Sequence, residues 1–466
     1  LQESVHILFS PFTACGGIRF QGLEKPGPSF PMFGPEHKRK YFSVFPKRND
    51  PAGSGKKQQA ATHVDSNSSG SFPTIGKFSR LSRMKKKYLT LLLLLLSLLL
   101  TGAARVHLPE VRAIWVTRFD YKTPSDVQAI VANCARSGFT DIFFQIRGNG
   151  TVFYPSRVEP WAFELSGKDP ADTGKNPGWD PLKTAAVSAK QRGIRLHAYM
   201  NVLPGWRGLK EPPRAAGQIW TAHPDWFMVD SLGHRMHPTG GWYAFVNPAL
   251  PAVRQHLTQL AAELARYDIA GLHLDYIRFP YDYKDVAREI YPKASAEEIK
   301  RRSDFSYDRY SLAQVRQQYN GNWAAFRRAT VSQVVADLNK TFKTTCGPQC
   351  VVSSSVLADF NKGYSAAFQD SRRWAKDRYV DWLVPMNYNP KLFNERLEKM
   401  RRALGRRRTA EQLVVGIDCK ADPAEIRRQI AEVQKSGCRG YALFAYSYLF
   451  ENHRPSAKGL ALAGNR

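Results

Sequence analysis

From residue 111 onward, short runs of closely spaced apolar residues alternate with longer stretches whose apolar positions recur at helical spacing. The short runs read as strands: 111–119 (VRAIWVTRF), 140–147, 194–203, 269–277, 350–357, 380–388, 412–419 and 440–448. Helical stretches lie between them at 123–138, 180–193, 248–267, 323–342, 371–379, 391–405 and 422–437. Several open on Thr-Pro or Asp-Pro and close on glycine, the punctuation expected at helix ends. Strands alternating with helices predict a parallel sheet of the α/β class. Eight such units over about 350 residues predict a (β/α)8 TIM barrel with long βα-loop insertions. The insertions are 148–179, 204–247 and 279–322, after strands two, three and four. The tail ENHRPSAKGLALAGNR supplies a remnant of the eighth helix. An open doubly wound sheet is the alternative, but no strand is followed by G-x-G-x-x-G or G-x-x-x-x-G-K.

Residues 84–104, MKKKYLTLLLLLLSLLLTGAA, have the lysines, leucine core and small residues of a secretory signal peptide in that order. The apolar core is about a dozen residues, short of the roughly 20 a membrane-spanning helix needs. The expected location is therefore periplasmic or extracellular, with membrane attachment only if the segment stays uncleaved. Residues 1–83 carry no sustained period and are read as upstream sequence or a disordered leader, which leaves 105–466 as the catalytic domain. The formal net charge of +28 suits an anionic surface such as a cell envelope. The excess is spread along the chain with no nucleic-acid module, so no nucleic-acid partner is expected. Of six cysteines, Cys346 and Cys350 in CGPQC are placed for a local disulfide. Cys134, Cys419 and Cys438 read as buried small hydrophobes, and Cys15 lies in the leader.

In a barrel of this kind, polar residues at the C-terminal ends of the strands converge on the mouth. Strand one brings Arg118 and Asp120, strand two Gln145 and Arg147, and strand three His197, Tyr199 and Asn201. Strand four, GLHLDYIRFP, brings His273, Asp275 and Arg278. Asp359 follows strand five, Asn387 and Tyr388 end strand six, Asp418 ends strand seven, and Tyr446 and Tyr448 belong to strand eight. Acids, amides, arginines and aromatics suit a carbohydrate, and glycosidic cleavage needs two carboxyls. Asp275 is expected as general acid/base, partly desolvated at its strand end. Asp418, across the mouth, is the expected second carboxylate, with Asp359 and Asp120 competing; Asp422 before Pro423 is the better helix cap. Arg118, Gln145, Arg147, His197, Asn201, His273, Arg278, Asp359, Asn387, Tyr388 and Tyr446 are the expected substrate contacts. There is no G-x-S-x-G elbow and no H-E-x-x-H pair. His223, His234 and His237 fit no metal spacing, so neither a metal nor another cofactor is implied.

The stretches VRAIWVTR (111–118), FFQIRGNG (143–150), HPDWFMVD (223–230), FVNPALPAVRQHL (245–257), GLHLDYIRFP (271–280), DFSYD (304–308) and PMNY (385–388) resemble the glycosyl-hydrolase-like family 10. The resemblance covers 108–450 and implies a barrel, export, and cleavage of cell-envelope glycans or exopolysaccharide, including peptidoglycan glycan strands stripped of their peptides. It places the family's strand-four acid on Asp275 and implies a second acid directly after it, where this chain has Tyr276. Strand four also resembles the chitinase pattern D-G-x-D-x-D-x-E, but Ile277 stands where the catalytic Glu belongs. The expectation is an exported glycoside hydrolase. The rivals are a non-catalytic glycan-binding barrel and a metal-dependent polysaccharide deacetylase or hydrolase.

Overall fold

The computed structural model describes residues 110–167 and 169–463. The leader 1–83, the signal segment 84–104 and Cys15 lie outside the described residues. Eight strands, β1 (Val111–Val116), β2 (Asp141–Arg147), β3 (Arg195–Asn201), β4 (Gly271–Asp275), β5 (Val351–Leu357), β6 (Trp382–Met386), β7 (Val414–Asp418) and β8 (Gly440–Phe444), close into one parallel barrel. Each neighbours the next in chain order, and β8 pairs with β1.

The helices that follow the strands in turn around the barrel are α1 (Pro124–Arg136), α2 (Pro181–Gln191), α3 (Pro251–Leu264), α4 (Trp323–Cys346), α5 (Ser371–Lys376), α6 (Phe393–Gln412), α7 (Pro423–Lys435) and α8 (Ala457–Ala463). Their starts follow local chemistry. Thr123 and Asp126 form a capping box on α1, while Asp180 and Asp422 cap α2 and α7, each followed by proline. Two ends differ from the sequence pattern. α4 runs on to Cys346, and α6 resumes after Gly405, whose φ of 75° breaks the helix without ending it. The tail supplies α8. Cys346 and Cys350 are disulfide-bonded, and Cys134 and Cys419 are buried thiols, whereas Cys438 is only partly buried.

Strand residues alternate between two cores. Ile114, Val116, Ile142, Phe144, Leu272 and Leu274 pack in the larger core with the helix residues. Val111, Ala113, Trp115, Phe143, Tyr199, Trp382 and Val414 form a separate inner cluster that fills the barrel. By the same parity Gly271, His273 and Asp275 of β4 point inward. The insertions build the upper wall. Pro204–Arg207 pairs antiparallel with Tyr243–Phe245, and 279–322 holds three helices, Tyr283–Ile290, Ala296–Arg302 and Arg309–Tyr319. Among the described residues no helix is long and apolar enough to cross a membrane.

Candidate active site

Asp275 is the last residue of β4 and only 7% exposed. Its Oδ2 accepts a hydrogen bond from the Tyr199 hydroxyl at 3.0 Å, and its Oδ1 accepts the Tyr276 N–H at 2.7 Å. Arg278 Nη1 lies 3.6 Å from Oδ1 and has no hydrogen-bond partner among the described residues. Burial raises the Asp275 carboxyl above its ordinary value; Arg278, the Tyr276 N–H and Tyr199 oppose this without cancelling it. Tyr276 turns the chain with φ of 50°, a left-handed conformation that costs a non-glycine residue energy. Its ring is held by Tyr243 at 5.3 Å, by Phe245 and Trp242, and by the Arg278 guanidinium at 4.5 Å.

The floor beneath Asp275 is aromatic. His273, one inward position lower, stacks on Phe143 at 4.0 Å and meets Tyr199 edge-on. Arg118 flanks the site from just past the end of β1. Its Nε donates to Glu164 at 3.2 Å and its Nη2 to the Tyr243 hydroxyl at 3.2 Å, both from insertions. Gln145 Oε1 accepts the Arg118 N–H at 3.0 Å. The Arg118 side chain lies directly against Gly148, where a Cβ would stand 2.9 Å from Arg118 Cδ.

Asp418 ends β7 half-buried, and its Oδ1 accepts the Lys420 N–H at 2.9 Å. Burial raises this carboxyl too, against Lys420 and Lys458. Lys458 of α8 donates to the carbonyls of Cys419 (2.7 Å), Lys420 (3.2 Å) and Ala421 (2.9 Å), which fixes the loop that carries Asp418. The Tyr388 phenol lies within electrostatic reach of both acids. Burial raises its pKa well above the ordinary value, and the charges of Asp275 and then Asp418 raise it further. Its ring stacks on Phe444 at 5.7 Å.

The sequence profile described as glycosyl hydrolase-like 10 matches residues 110–429. The chain belongs to the glycosyl hydrolase-like 10 family. It is 24% identical over 320 residues to the protein named glycosyl hydrolase DigH of Escherichia coli (strain K12), covering 62% of this chain and 64% of that one. It is 23% identical over 313 residues to glycosyl hydrolase YngK of Bacillus subtilis (strain 168), covering 60% and 54%. The chain thus spans less than two thirds of the length of these relatives. Among solved structures, the catalytic domain of β-amylase from Paenibacillus polymyxa aligns with a TM-score of 0.48 at 10% identity, over 76% of this chain and 97% of that one. An α-galactosidase from Thermus thermophilus aligns with a TM-score of 0.43 at 12% identity, over 77% and 62%.

Within this family barrel, Asp275, Asn201, Arg118, Gln145, Arg278, Tyr388 and Asp418 occupy the mouth region, whereas several expected contacts do not. Arg147 is 1% exposed and clamps Glu159 through Nε (2.8 Å) and Nη2 (2.6 Å). Its Nη1 donates to the carbonyls of Asn201, Val202 and Pro204, so its donors are occupied inside the protein. Asn201, by contrast, sits level with Asp275 on the neighbouring strand; it is buried, its Nδ2 donates to the Gly148 carbonyl at 3.0 Å, and its Oδ1 has no partner among the described residues. His197 lies at the barrel floor, in register with Gly271 and bonded to Asp141 at 2.8 Å. His273 accepts from the Trp115 indole at 3.0 Å, so Nδ1 carries the proton and faces Ser353 at 2.8 Å. Burial and then His197 hold its pKa well below the ordinary value, making it a neutral core residue. Asn387 is buried on the Phe393 carbonyl.

Tyr446 turns outward to α1, where Asn133 donates to its hydroxyl at 2.7 Å; Tyr448 instead feels the Asp418 charge. Asp359 is an exposed helix cap, accepting from the N–H groups of Asn361 and Lys362. Asp120 folds back on Thr117, and burial lifts its pKa to about 6. Among the described residues no three His, Cys, Asp or Glu side chains are grouped to hold a metal ion.

The sequence pattern alone missed Tyr243, Glu164 and Asp282. Asp282 lies four residues past Arg278; burial raises its carboxyl and Arg278 opposes that, so one guanidinium faces two acids. The signal for Asp282 was an acid directly after the strand-four turn, in YDYKD. Tyr199 was among the strand-three candidates, but its bond to Asp275 needed the register. Tyr199→Phe removes a hydrogen bond that favours ionised Asp275, so the basic limb of a pH–rate profile moves to higher pH. The fold loses about 1 kcal/mol in denaturant unfolding. An unmoved limb places the titrating group elsewhere.

Proposed function

We propose that this chain is an exported glycoside hydrolase acting on a bacterial cell-envelope glycan, with peptide-free peptidoglycan strands as first choice and exopolysaccharide as second. The observation that carries the reading is Asp275, a buried carboxyl at the mouth of a closed barrel with its pKa raised. A carboxyl that keeps its proton to higher pH can protonate a glycosidic oxygen. Asp418 acts as the second carboxylate, as nucleophile or as base for water. Arg118, Gln145, Arg278 and Tyr388 position sugar hydroxyls and acetamido groups. The Cys346–Cys350 disulfide and the 84–104 segment support export, and the +28 charge supports residence on an anionic envelope.

One observation favours a non-catalytic glycan-binding barrel instead: Tyr276 stands where the resemblance implies a second acid. A single assay separates the two. Purified chain incubated with peptide-stripped peptidoglycan strands releases fragments with new reducing ends. Strand binding without any such release supports the non-catalytic reading.

A further inference from the structure

A groove on the outer flank gathers two tryptophans, an asparagine and two arginines away from the barrel mouth. The β2–α2 insertion lays residues 154–157 against α3. Glu263 accepts from Ser156 Oγ at 2.6 Å, from the Arg157 N–H at 2.8 Å and from the Tyr154 hydroxyl at 3.2 Å. Two adjoining clefts flank this seam, one of about 460 Å³ and one of about 470 Å³, and Arg157 lines both. The first is walled by the half-buried indoles of Trp161 and Trp179, with Asn176 at its tip. The second continues past Gln259 and Arg266. Neither shares a lining residue with the surroundings of Asp275.

The groove is held in shape. The Trp161 carbonyl accepts the Gly174 N–H at 2.9 Å, and Trp161 bridges Val152. Asn176 Oδ1 accepts the Gly178 N–H at 2.8 Å, closing the loop tip. Arg157 and Arg266 are exposed and have no carboxylate partner among the described residues. Rigid indole faces offer large apolar area at low entropic cost, amides fix hydroxyls, and free guanidinium groups take carboxylates.

We infer that this groove is a second glycan-binding site, taking a polysaccharide strand with acidic substituents outside the catalytic mouth. It rests on the glycan reading above. Its role is to keep the protein on its polymer and raise the effective concentration of strand at the mouth. The test uses the full chain carrying Asp275→Asn, so that strand is not consumed, co-sedimented with insoluble peptide-stripped peptidoglycan. Adding Trp161→Ala weakens apparent affinity about ten-fold, the scale of a buried aromatic anchor. Arg157→Gln, at an exposed position, weakens it and flattens its salt dependence. If both variants bind as the parent does, the groove is not a glycan site. Cleavage by the unmutated chain with that outcome leaves the hydrolase reading standing. Lost binding in both variants, with no cleavage by the unmutated chain, upholds the groove and removes the hydrolase.

Discussion

Asp275→Asn is expected to lower kcat/KM on peptide-free glycan strands by about 10²- to 10⁴-fold, the scale of lost general acid–base catalysis. The amide keeps the shape: its oxygen can still accept the Tyr276 N–H, and its NH2 can donate to the Tyr199 hydroxyl, so binding should survive. Stability should move the other way. The Asp275 pKa is raised in the folded state, so its contribution is present below the unfolded value and is lost as pH rises through the folded one. An amide has no such loss. The variant should therefore melt at a higher temperature than the parent at pH 7 and 8, with the gap closing toward pH 4. A variant that is slower and more stable marks a carboxyl kept for chemistry at a cost to the fold. Cleavage within two-fold of the parent would move the acid role to another carboxyl, with Asp418 and Asp282 next in line.

The barrel was legible because its signal is local and repeated. Each strand and helix carries its own period and caps, and eight repeats leave few topologies. The mouth was only half legible. Parity along a strand says which side chains point inward, but not how deep they sit. His197 and Asp275 both point inward, yet cross-strand register puts His197 level with Gly271, four residues below the mouth. Space decides this too: a Cβ at position 271 would lie 2.5 Å from His197 Nδ1. Arg147 ends β2 and Asn387 directly follows β6, as a site residue would. Their partners, Glu159 and the Phe393 carbonyl, lie on segments whose approach no periodicity encodes. Tyr446 failed for a third reason: β8 stops at Phe444, so the two-residue period no longer applies to it.

The same mouth depends on a buried ion pair that looks like chemistry and acts as scaffold. Burial alone would raise the Glu159 carboxyl; the Arg147 charge and then His256 overcome it and hold it at about 2, against 4.5 unperturbed. The Glu159 side chain is fully buried, so that difference corresponds to about 3 kcal/mol of stability at neutral pH. With a depressed pKa, the contribution is present above 4.5 and is lost as pH falls toward 2. Arg147→Met leaves Glu159 buried with His256 alone and should cost about 3–5 kcal/mol in denaturant unfolding at pH 7. The deficit should narrow in acid, where the stranded carboxyl takes a proton. Adding Glu159→Gln should recover much of the loss, because the cost lies in an unpaired buried charge. Activity should fall with Arg147→Met as well. Arg147 grips the carbonyls after β3, and the Val202 N–H in that segment donates to the Asp275 carbonyl at 2.8 Å. If Arg147→Met instead kept full stability and lost only substrate affinity, Arg147 would be a sugar contact and the scaffold role would fail.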